Sequence, residues 1–271
     1  MITYSKLGVH GNIGNSMFQY AVLLSLGKSK GYEVKIPLRP SYFDINYNCM
    51  NRSIAEGFII KTPSITIEEL GQMKLNVYNE RWFHYDSKVL EQPDNTDLAG
   101  YFQSEKYFIH NKNYIIDNFQ FKPEIKEQAV QLFKQLNIEP ENTTSLHLRR
   151  GDYVHKQEHH PLMPQEYYIK ACKSIKTKYY LIFSDDIEWC KQAFAQDSRV
   201  FFSTLTNPFE DMCAMSMCAH NIIANSSFSW WAAWLNINPK KIVVGPKKWF
   251  GPAYEGVIDP KDVIPESWLK I

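Results

Sequence analysis

Short apolar runs recur through the second half of the chain: SLHL (145–148), KYYLIF (178–183), RVFF (199–202), NIIA (221–224) and KIVV (241–244). Between several of them lie stretches with helical patterning, notably Gln165 to Lys176 and Ile187 to Ala195. Short apolar strands alternating with helices predict a parallel sheet covered by helices on its faces. Four of the runs lead directly into polar clusters: SLHL into RRGDY, KYYLIF into SDD, NIIA into NSSFSWW, and KIVV into GPKKW. Open α/β sheets bind ligands at the carboxyl ends of their strands, so four polar clusters at four such ends describe one shared site.

The first half is less regular. GNIGN (11–15) reads as a glycine-bearing loop, and in the adjoining MFQYAVLLSLGKSKG, Phe18, Val22, Leu23 and Leu26 keep helical spacing while Gly31 is placed to stop the helix. EVKIPL (33–38) then reads as a strand, which makes a βαβ opening. From Arg39 to Gly100 the signals are mixed. Glu124 to Leu136 has the pattern of an amphipathic helix, and NIEPEN (137–142) reads as a linker. The expected division is an N-terminal lobe over 1–140 and a C-terminal lobe over 141–271.

Composition narrows the function more than the fold. In 271 residues, 30 lysines and arginines face 29 acids, a formal net charge of +1. No global basic field of the kind duplex nucleic acids need is present, so any anion must be held locally. Five cysteines, Cys49, Cys172, Cys190, Cys213 and Cys218, include no CxxC pair, which reads as reduced thiols and neither a disulfide frame nor a zinc site. The N-terminus shows no secretory signal pattern, and the apolar run Phe228–Leu235 is too short to cross a bilayer. These features suggest a bacterial-type cytoplasmic protein, with peripheral contact at the inner face of the membrane left open. Aromatic content is 14%, which suits sugar-binding surfaces and cores equally.

The candidate chemistry sits at the strand ends. Side chains alternate along a strand, so His147 and Arg149 share one side and Leu146 and Leu148 the other. Arg149 either grips two phosphate oxygens with its planar fork or closes an ion pair with a nearby carboxylate, and the same alternatives hold for Arg150. His147 lines the site or is a hydrogen-bonded core histidine; Asp152 acts in the site or caps a turn. Asn225, Ser226 or Ser227 can cap a helix beginning near Phe228, whose N-terminus would favour an anion. Trp230, Trp231 and Trp234 read as core packing. Asp185 and Asp186 can accept from a guanine edge or cap a helix; as adjacent carboxylates they are weak as a metal motif. Neither GxxxxGK[ST] nor GxGxxG occurs.

Five ordered blocks, GNIGNSMFQYA (11–21), GYFQSEKYF (100–108), HLRRGDY (147–153), FSDD (183–186) and NSSFSWWAAWL (225–235), give the chain a resemblance to the inverting α-1,2-fucosyltransferases of glycosyltransferase family 11. The resemblance implies an α/β, GT-B-like fold: two Rossmann-like lobes with a nucleotide-sugar cleft between them. It implies GDP-fucose as donor, held chiefly by the C-terminal lobe, with no metal or other cofactor. Arg149 would hold the β-phosphate, with Arg150 supporting the loop or the pyrophosphate; His147 with Asp185 or Asp186 would line the guanosine pocket; Ser226, Ser227, Phe228 and Ser229 would supply the phosphate cradle, with Asn225 also on the donor side. Gly14, Asn15 and Gln103, the last placed after a GYF strand, would face the acceptor, a galactose-terminated oligosaccharide or lipid-linked glycan. Asp152, His155 and Glu158 are candidates for a general base. Where the family's opening block has a second glycine and a glutamine, this chain has Asn12 and Ser16; should position 12 take a positive φ, asparagine is the least costly replacement. Two other readings stay open: a fucosyltransferase of different linkage or acceptor, and a non-catalytic glycan-binding module.

Overall fold

A computed structural model describes residues 1–9, 11–38, 53–194 and 196–271. Cys49 and Ala195 lie outside the described residues. The chain divides into two compact units, one formed by 1–120 with 258–265, the other by 121–257 with 266–271.

The first unit contains helix α1 (Ile13–Lys30), strands β1 (Ile36–Leu38) and β2 (Ser64–Thr66), helix α2 (Ile67–Gln72), strands β3 (Asn76–Asn79) and β4 (Thr96–Ala99) and helix α3 (Lys112–Asn118). β1 pairs with β2 and β3 with β4, both parallel. The N-terminal Ile2 and Thr3 join the pairs through parallel bridges to Val34 and Asp97. α1 is almost entirely buried from Ile13 to Gly27, which explains its apolar run MFQYAVLL. It ends as expected at Gly31, whose φ of 70° supplies the left-handed cap and whose N–H reaches the Gly27 carbonyl.

The start of α1 differs from the sequence reading. Gly14 and Asn15 lie in its first turn and not in a loop, because the Asn12 carbonyl accepts the N–H groups of Asn15 (2.9 Å) and Ser16 (3.2 Å). Asn12 itself is extended at φ −91°; the positive φ falls on Gly11 at 81°, so asparagine at position 12 carries no backbone penalty. A Cβ on Gly11 would also collide with the Asn15 side chain at 1.8 Å. The expected GYF strand is likewise displaced: the strand is Thr96–Ala99, and Gly100–Phe102 is a turn in which Phe102 takes φ 52°.

The second unit contains helix α4 (Pro123–Leu136), strand β5 (Thr143–Leu148), helix α5 (Gln165–Ser174), strand β6 (Tyr179–Ser184), helix α6 (Ile187–Phe194), strand β7 (Val200–Phe202), helix α7 (Pro208–Met217), strand β8 (His220–Ile222), helix α8 (Ser227–Leu235), and strands β9 (Val243–Gly245) and β10 (Leu269–Lys270). All five apolar runs of the sequence contribute strands, and the sheet is parallel throughout, in the order β10-β9-β8-β5-β6-β7. Residues 137–142, expected to be a linker, connect α4 to β5 inside this unit through the left-handed cap Asn137 (φ 52°) and a 3-10 turn.

The pleat of β5 sorts its side chains as expected. Leu146 and Leu148 enter a core with Tyr167, Tyr168 and Ala171 of α5, Ile182 of β6 and Cys190 of α6. Ser145 instead accepts a hydrogen bond from Asn221 of β8 (2.7 Å), and Asn236 donates to the side-chain oxygen of Asn221 (2.8 Å), so buried amides tie β5, β8 and the end of α8 together. Trp230, Trp231 and Trp234 are core residues, their rings in mutual contact at centroid distances of 5.1–6.3 Å. Burying each such ring stabilises the fold by roughly 2–3 kcal/mol before the entropy of ordering it. Lys241 fixes the far end of α8 by donating to the carbonyls of Ala233 and Asn236, both at 2.6 Å. Four described cysteines, 172, 190, 213 and 218, are unbridged. Among the described residues no helix is long and apolar enough to cross a membrane.

The backbone difference between positions 11 and 12 is measurable. Gly11→Ala should lower unfolding stability by about 1–2 kcal/mol or more, since it combines a left-handed φ with a clash. Asn12→Gly should change it by less than about 1 kcal/mol, as read by chemical denaturation.

Candidate active site

In the second unit β5 is the first strand of the sheet. The chain adds β6 and β7 on one side, then crosses to add β8, β9 and β10 on the other. The order therefore reverses between β5 and β8, the place where a doubly wound sheet opens a crevice at its carboxyl edge. The two groups that flank this point are Arg149, directly after β5, and Asn225–Ser226, between β8 and α8. They are neighbours: the Tyr153 hydroxyl donates to the Asn225 carbonyl at 3.3 Å, and the His147 ring lies 5.4 Å from that of Phe228. A hollow of about 420 Å³ lined by Glu141, Lys176 and His220 lies at the opposite, amino edge, where the strands start.

Both arginines are held by carboxylates. Arg149 donates through Nη1 to Asp185 at 2.5 Å and through Nη2 to Asp152 at 2.6 Å, with its guanidinium 5.1 Å from the Tyr153 ring centroid. Arg150 donates through Nε to Asp186 at 2.9 Å and lies 3.7 Å over the Trp189 ring, while its backbone N–H binds Asp185 at 2.8 Å. Asp185 thus bridges the side chain of one arginine and the main chain of the next. Gly151 makes room for it, since a Cβ there would stand 2.3 Å from Asp185 Oδ2. The ion-pair alternative raised by the sequence is realised for both arginines. The helix-cap alternative is realised for Asp186, whose Oδ1 accepts the Trp189 N–H at 3.3 Å. The two carboxylates take one N–H from each Nη of Arg149, which leaves the five-donor guanidinium unsaturated by them.

At the start of α8, Asn225 and Ser226 are less fully engaged. Asn225 is buried, its amide nitrogen donating to the carbonyls of Pro161 and Trp249. Its Oδ1 has no partner among the described residues, and neither has Nδ1 of buried His147. Ser226 occupies the N-cap position, yet its side chain makes no capping bond, and Ser227 and Phe228 are partly exposed. Unsatisfied buried polar atoms are rare enough to need a cause, and Thr144 Oγ1 near the start of β5 shares the condition. Ser229 does not belong with them. It is fully buried and its hydroxyl donates to the Ser226 carbonyl at 3.2 Å, so its place in the phosphate cradle is withdrawn.

Charge states follow from these surroundings. Burial, aided by the Arg149 charge, pushes His147 down to about 3, so the imidazole is neutral. Burial pushes the Tyr153 phenol up to about 12, which keeps it a donor. Partial burial raises Asp152, but the hydrogen bond from Lys156 (3.0 Å) and the Arg149 charge outweigh it and leave this carboxyl below its usual range. A carboxylate so held binds protons weakly and makes a poor general base. His155 lies exposed in the 3-10 turn Gly151–His155, and Glu158 is exposed beyond it. Among the described residues no group of three or more His, Cys, Asp or Glu side chains could hold a metal ion.

In the first unit, two of the three residues assigned to the acceptor meet: Gln103 Nε2 donates to Asn15 Oδ1 at 2.8 Å, while Gly14 is buried in the first turn of α1. The sequence reading missed Glu80. Its carboxylate accepts the N–H groups of Tyr101 (2.6 Å) and Phe102 (2.9 Å) and so holds the turn that presents Gln103. Burial pushes Glu80 up to about 7 in spite of those two bonds.

Comparison with known proteins supplies the family. The family model described as glycosyl transferase family 11 matches residues 3–269. The chain belongs to this family. It is 32% identical to the O-antigen biosynthesis glycosyltransferase WbnK of Escherichia coli, over 89% of this chain and 93% of that protein. It is 30% identical to an alpha-1,2-colitosyltransferase of Escherichia coli over 96% of both, and 25% identical to the galactoside 2-alpha-L-fucosyltransferase Sec1 of Mus musculus over 84% of this chain and 63% of that one. Among solved structures, NodZ alpha-1,6-fucosyltransferase soaked with GDP-fucose superposes with a TM-score of 0.54 at 16% identity, covering 86% of this chain and 91% of the other. POFUT1 in complex with GDP gives 0.55 at 12% identity, covering 90% and 97%. These likenesses establish the fold, an α/β architecture of the GT-B type; the family member is a glycosyltransferase.

The buried imidazole makes a signed prediction. Between pH 6.5 and about 3 the unfolded chain binds a proton that folded His147 refuses, so its contribution to stability is lost as pH falls below 6.5. Glu80 and Asp211, both raised by burial to about 7, act in the opposite sense, and comparison with a variant cancels them. The stability of His147→Gln relative to the parent should improve by up to about 3 kcal/mol between pH 7 and pH 4 in urea unfolding.

Proposed function

We propose that this glycosyltransferase moves L-fucose from GDP-β-L-fucose to the 2-hydroxyl of a galactoside with inversion, giving an α-1,2-linked product. The observation that carries the reading is the meeting of a doubly anchored arginine loop with the buried Asn225 that precedes α8, its Oδ1 unpartnered among the described residues, at the switch point of the sheet. Breaking the anomeric C–O bond moves negative charge onto the β-phosphate of the departing GDP. The remaining N–H groups of Arg149, the first backbone N–H groups of α8 and the Ser226 hydroxyl are donors suited to that charge, and they favour the transition state over the ground state. Asp185 keeps the fork aimed through its two contacts, and neutral His147 offers a hydrogen bond without a competing charge. Attack from the opposite face of the sugar inverts the β-linked donor. Asp185 and Asp186 are engaged by guanidinium groups, which supports transfer without a divalent cation.

A second reading rests on one relative: 30% identity over 96% of both chains to an alpha-1,2-colitosyltransferase favours the same linkage with a different sugar. Assays with GDP-fucose and with the colitosyl donor, followed by linkage analysis of the product by NMR, separate the two. Turnover of the colitosyl donor alone contradicts fucosyl transfer.

Arg149→Lys should reduce transfer at least about a hundredfold, because an ammonium cannot reproduce the fork. Activity above about a third of the parent's contradicts a bidentate contact. Asp152→Asn should tighten GDP binding by up to about fivefold in calorimetry, since it frees one guanidinium N–H from a competing, part-exposed carboxylate. Full transfer in excess EDTA is expected, and loss of activity restored by a divalent cation contradicts the metal-free reading.

A further inference from the structure

The geometry points to a sugar-stacking platform at Trp82, in the first unit, that binds one pyranose ring of the acceptor glycan. The inference rests on the reading of the chain as a galactoside transferase. Trp82 follows β3 by three residues, at the carboxyl edge of that unit's parallel strands, and its side chain is 60% exposed, the most exposed aromatic among the described residues. Folding therefore gains little from this ring. Yet the ring is held in place. It stacks on His84 at 7° between planes with centroids 6.0 Å apart, and His84 Nδ1 stands 3.6 Å from the Asp259 carboxylate. The segment beneath is pinned as well: the Tyr85 N–H binds Asp262 at 3.0 Å, Lys106 binds the same carboxylate at 2.7 Å, and the Tyr107 hydroxyl donates to the His84 carbonyl. An exposed indole aligned with an anchored neighbouring ring, on a pinned segment, presents an open face at reduced entropic cost.

The neighbouring polar groups indicate the chemistry that face would meet. Two residues before Trp82, Glu80 holds the turn that exposes Tyr101 and sets Gln103 against Asn15. An exposed aromatic plane that follows Glu80 by two residues, at the strand ends where Glu80 also holds the Tyr101–Phe102 turn, matches a pyranose, whose axial C–H groups carry partial positive charge toward the ring face while its hydroxyls need polar partners. A β-galactoside has such a C–H face on one side of the ring. Trp189, the other partly exposed tryptophan of the strand ends, is already covered by Arg150.

The test compares the parent with Trp82→Ala and Trp82→Phe, using GDP-fucose as donor and lactose as acceptor. Trp82→Ala should raise the KM for lactose about tenfold, Trp82→Phe by less than about threefold, with the KM for GDP-fucose unchanged. Saturation-transfer NMR should show lactose contacts to the parent that the alanine variant loses, and the unfolding midpoints of all three should coincide. A lactose KM unaltered in Trp82→Ala, while the parent transfers fucose normally, overturns the platform and leaves the proposed function standing. So does a variant that keeps its lactose KM but loses binding to anionic phospholipid vesicles, which would make the ring a membrane contact. A parent that transfers fucose to no galactoside contradicts the proposed function itself.

Discussion

A guanidinium ion shared between two carboxylates sets the terms for everything at the carboxyl edge of the second unit. Arg149 lies between Asp152 and Asp185 and over the Tyr153 ring, partly withdrawn from solvent. An isolated arginine there would be mobile and strongly hydrated. Clamped, it loses little further freedom when an anion arrives, but the carboxylates neutralise part of its charge. For the proposed transfer the balance fits: enough attraction to stabilise a departing diphosphate as charge builds on it, and too little to trap it afterwards. The two aspartates differ in kind. Asp185 also binds the Arg150 main chain in a space that Gly151 leaves open, so it is part of the frame. Asp152 is more exposed and also binds Lys156, so it can yield.

The same edge shows why neutral groups are needed beside the charged ones. His147 is on the strand that carries Arg149, and burial together with that positive charge keeps the imidazole unprotonated. A cationic histidine would add a second positive charge within the field of Arg149. A neutral one leaves the ion-pair network intact and still offers hydrogen bonding next to the first turn of α8. That helix brings its own field at no cost in charge, and its three tryptophans fix it against the core so that the dipole stays aimed.

Much of this was legible from one dimension. The alternation of apolar runs gave the parallel sheet, and the rule that such sheets bind at their carboxyl edges brought the RRGDY and NSSFSWW segments together. The pairing of side chains across that edge was not legible, because it depends on register. β5 and β6 align Leu148 with Ser184, which sets Arg149 opposite Asp185 just beyond the last rung. β3 and β4 align Asn79 with Ala99, which sets Glu80 opposite Gly100 in the same way. Neither relation follows from local pattern, so the aspartates read as ligands for a base and Glu80 escaped notice. The start of α1 differs from its pattern for a related reason: GNIGN contains two glycines, but only Gly11 has the left-handed backbone, and the second sits inside the helix. Ser229 illustrates the same limit, since its inward turn is set by the helical phase of α8 and not by its place in a run of serines.

The most direct test of the central claim is a crystal structure of the protein with GDP bound. The account requires the β-phosphate to lie within hydrogen-bond distance of the Arg149 guanidinium and of the backbone N–H groups that open α8, with Asp185 still against the Arg150 main chain. A structure in which Arg149 remains locked between Asp152 and Asp185 while the diphosphate binds elsewhere would contradict it.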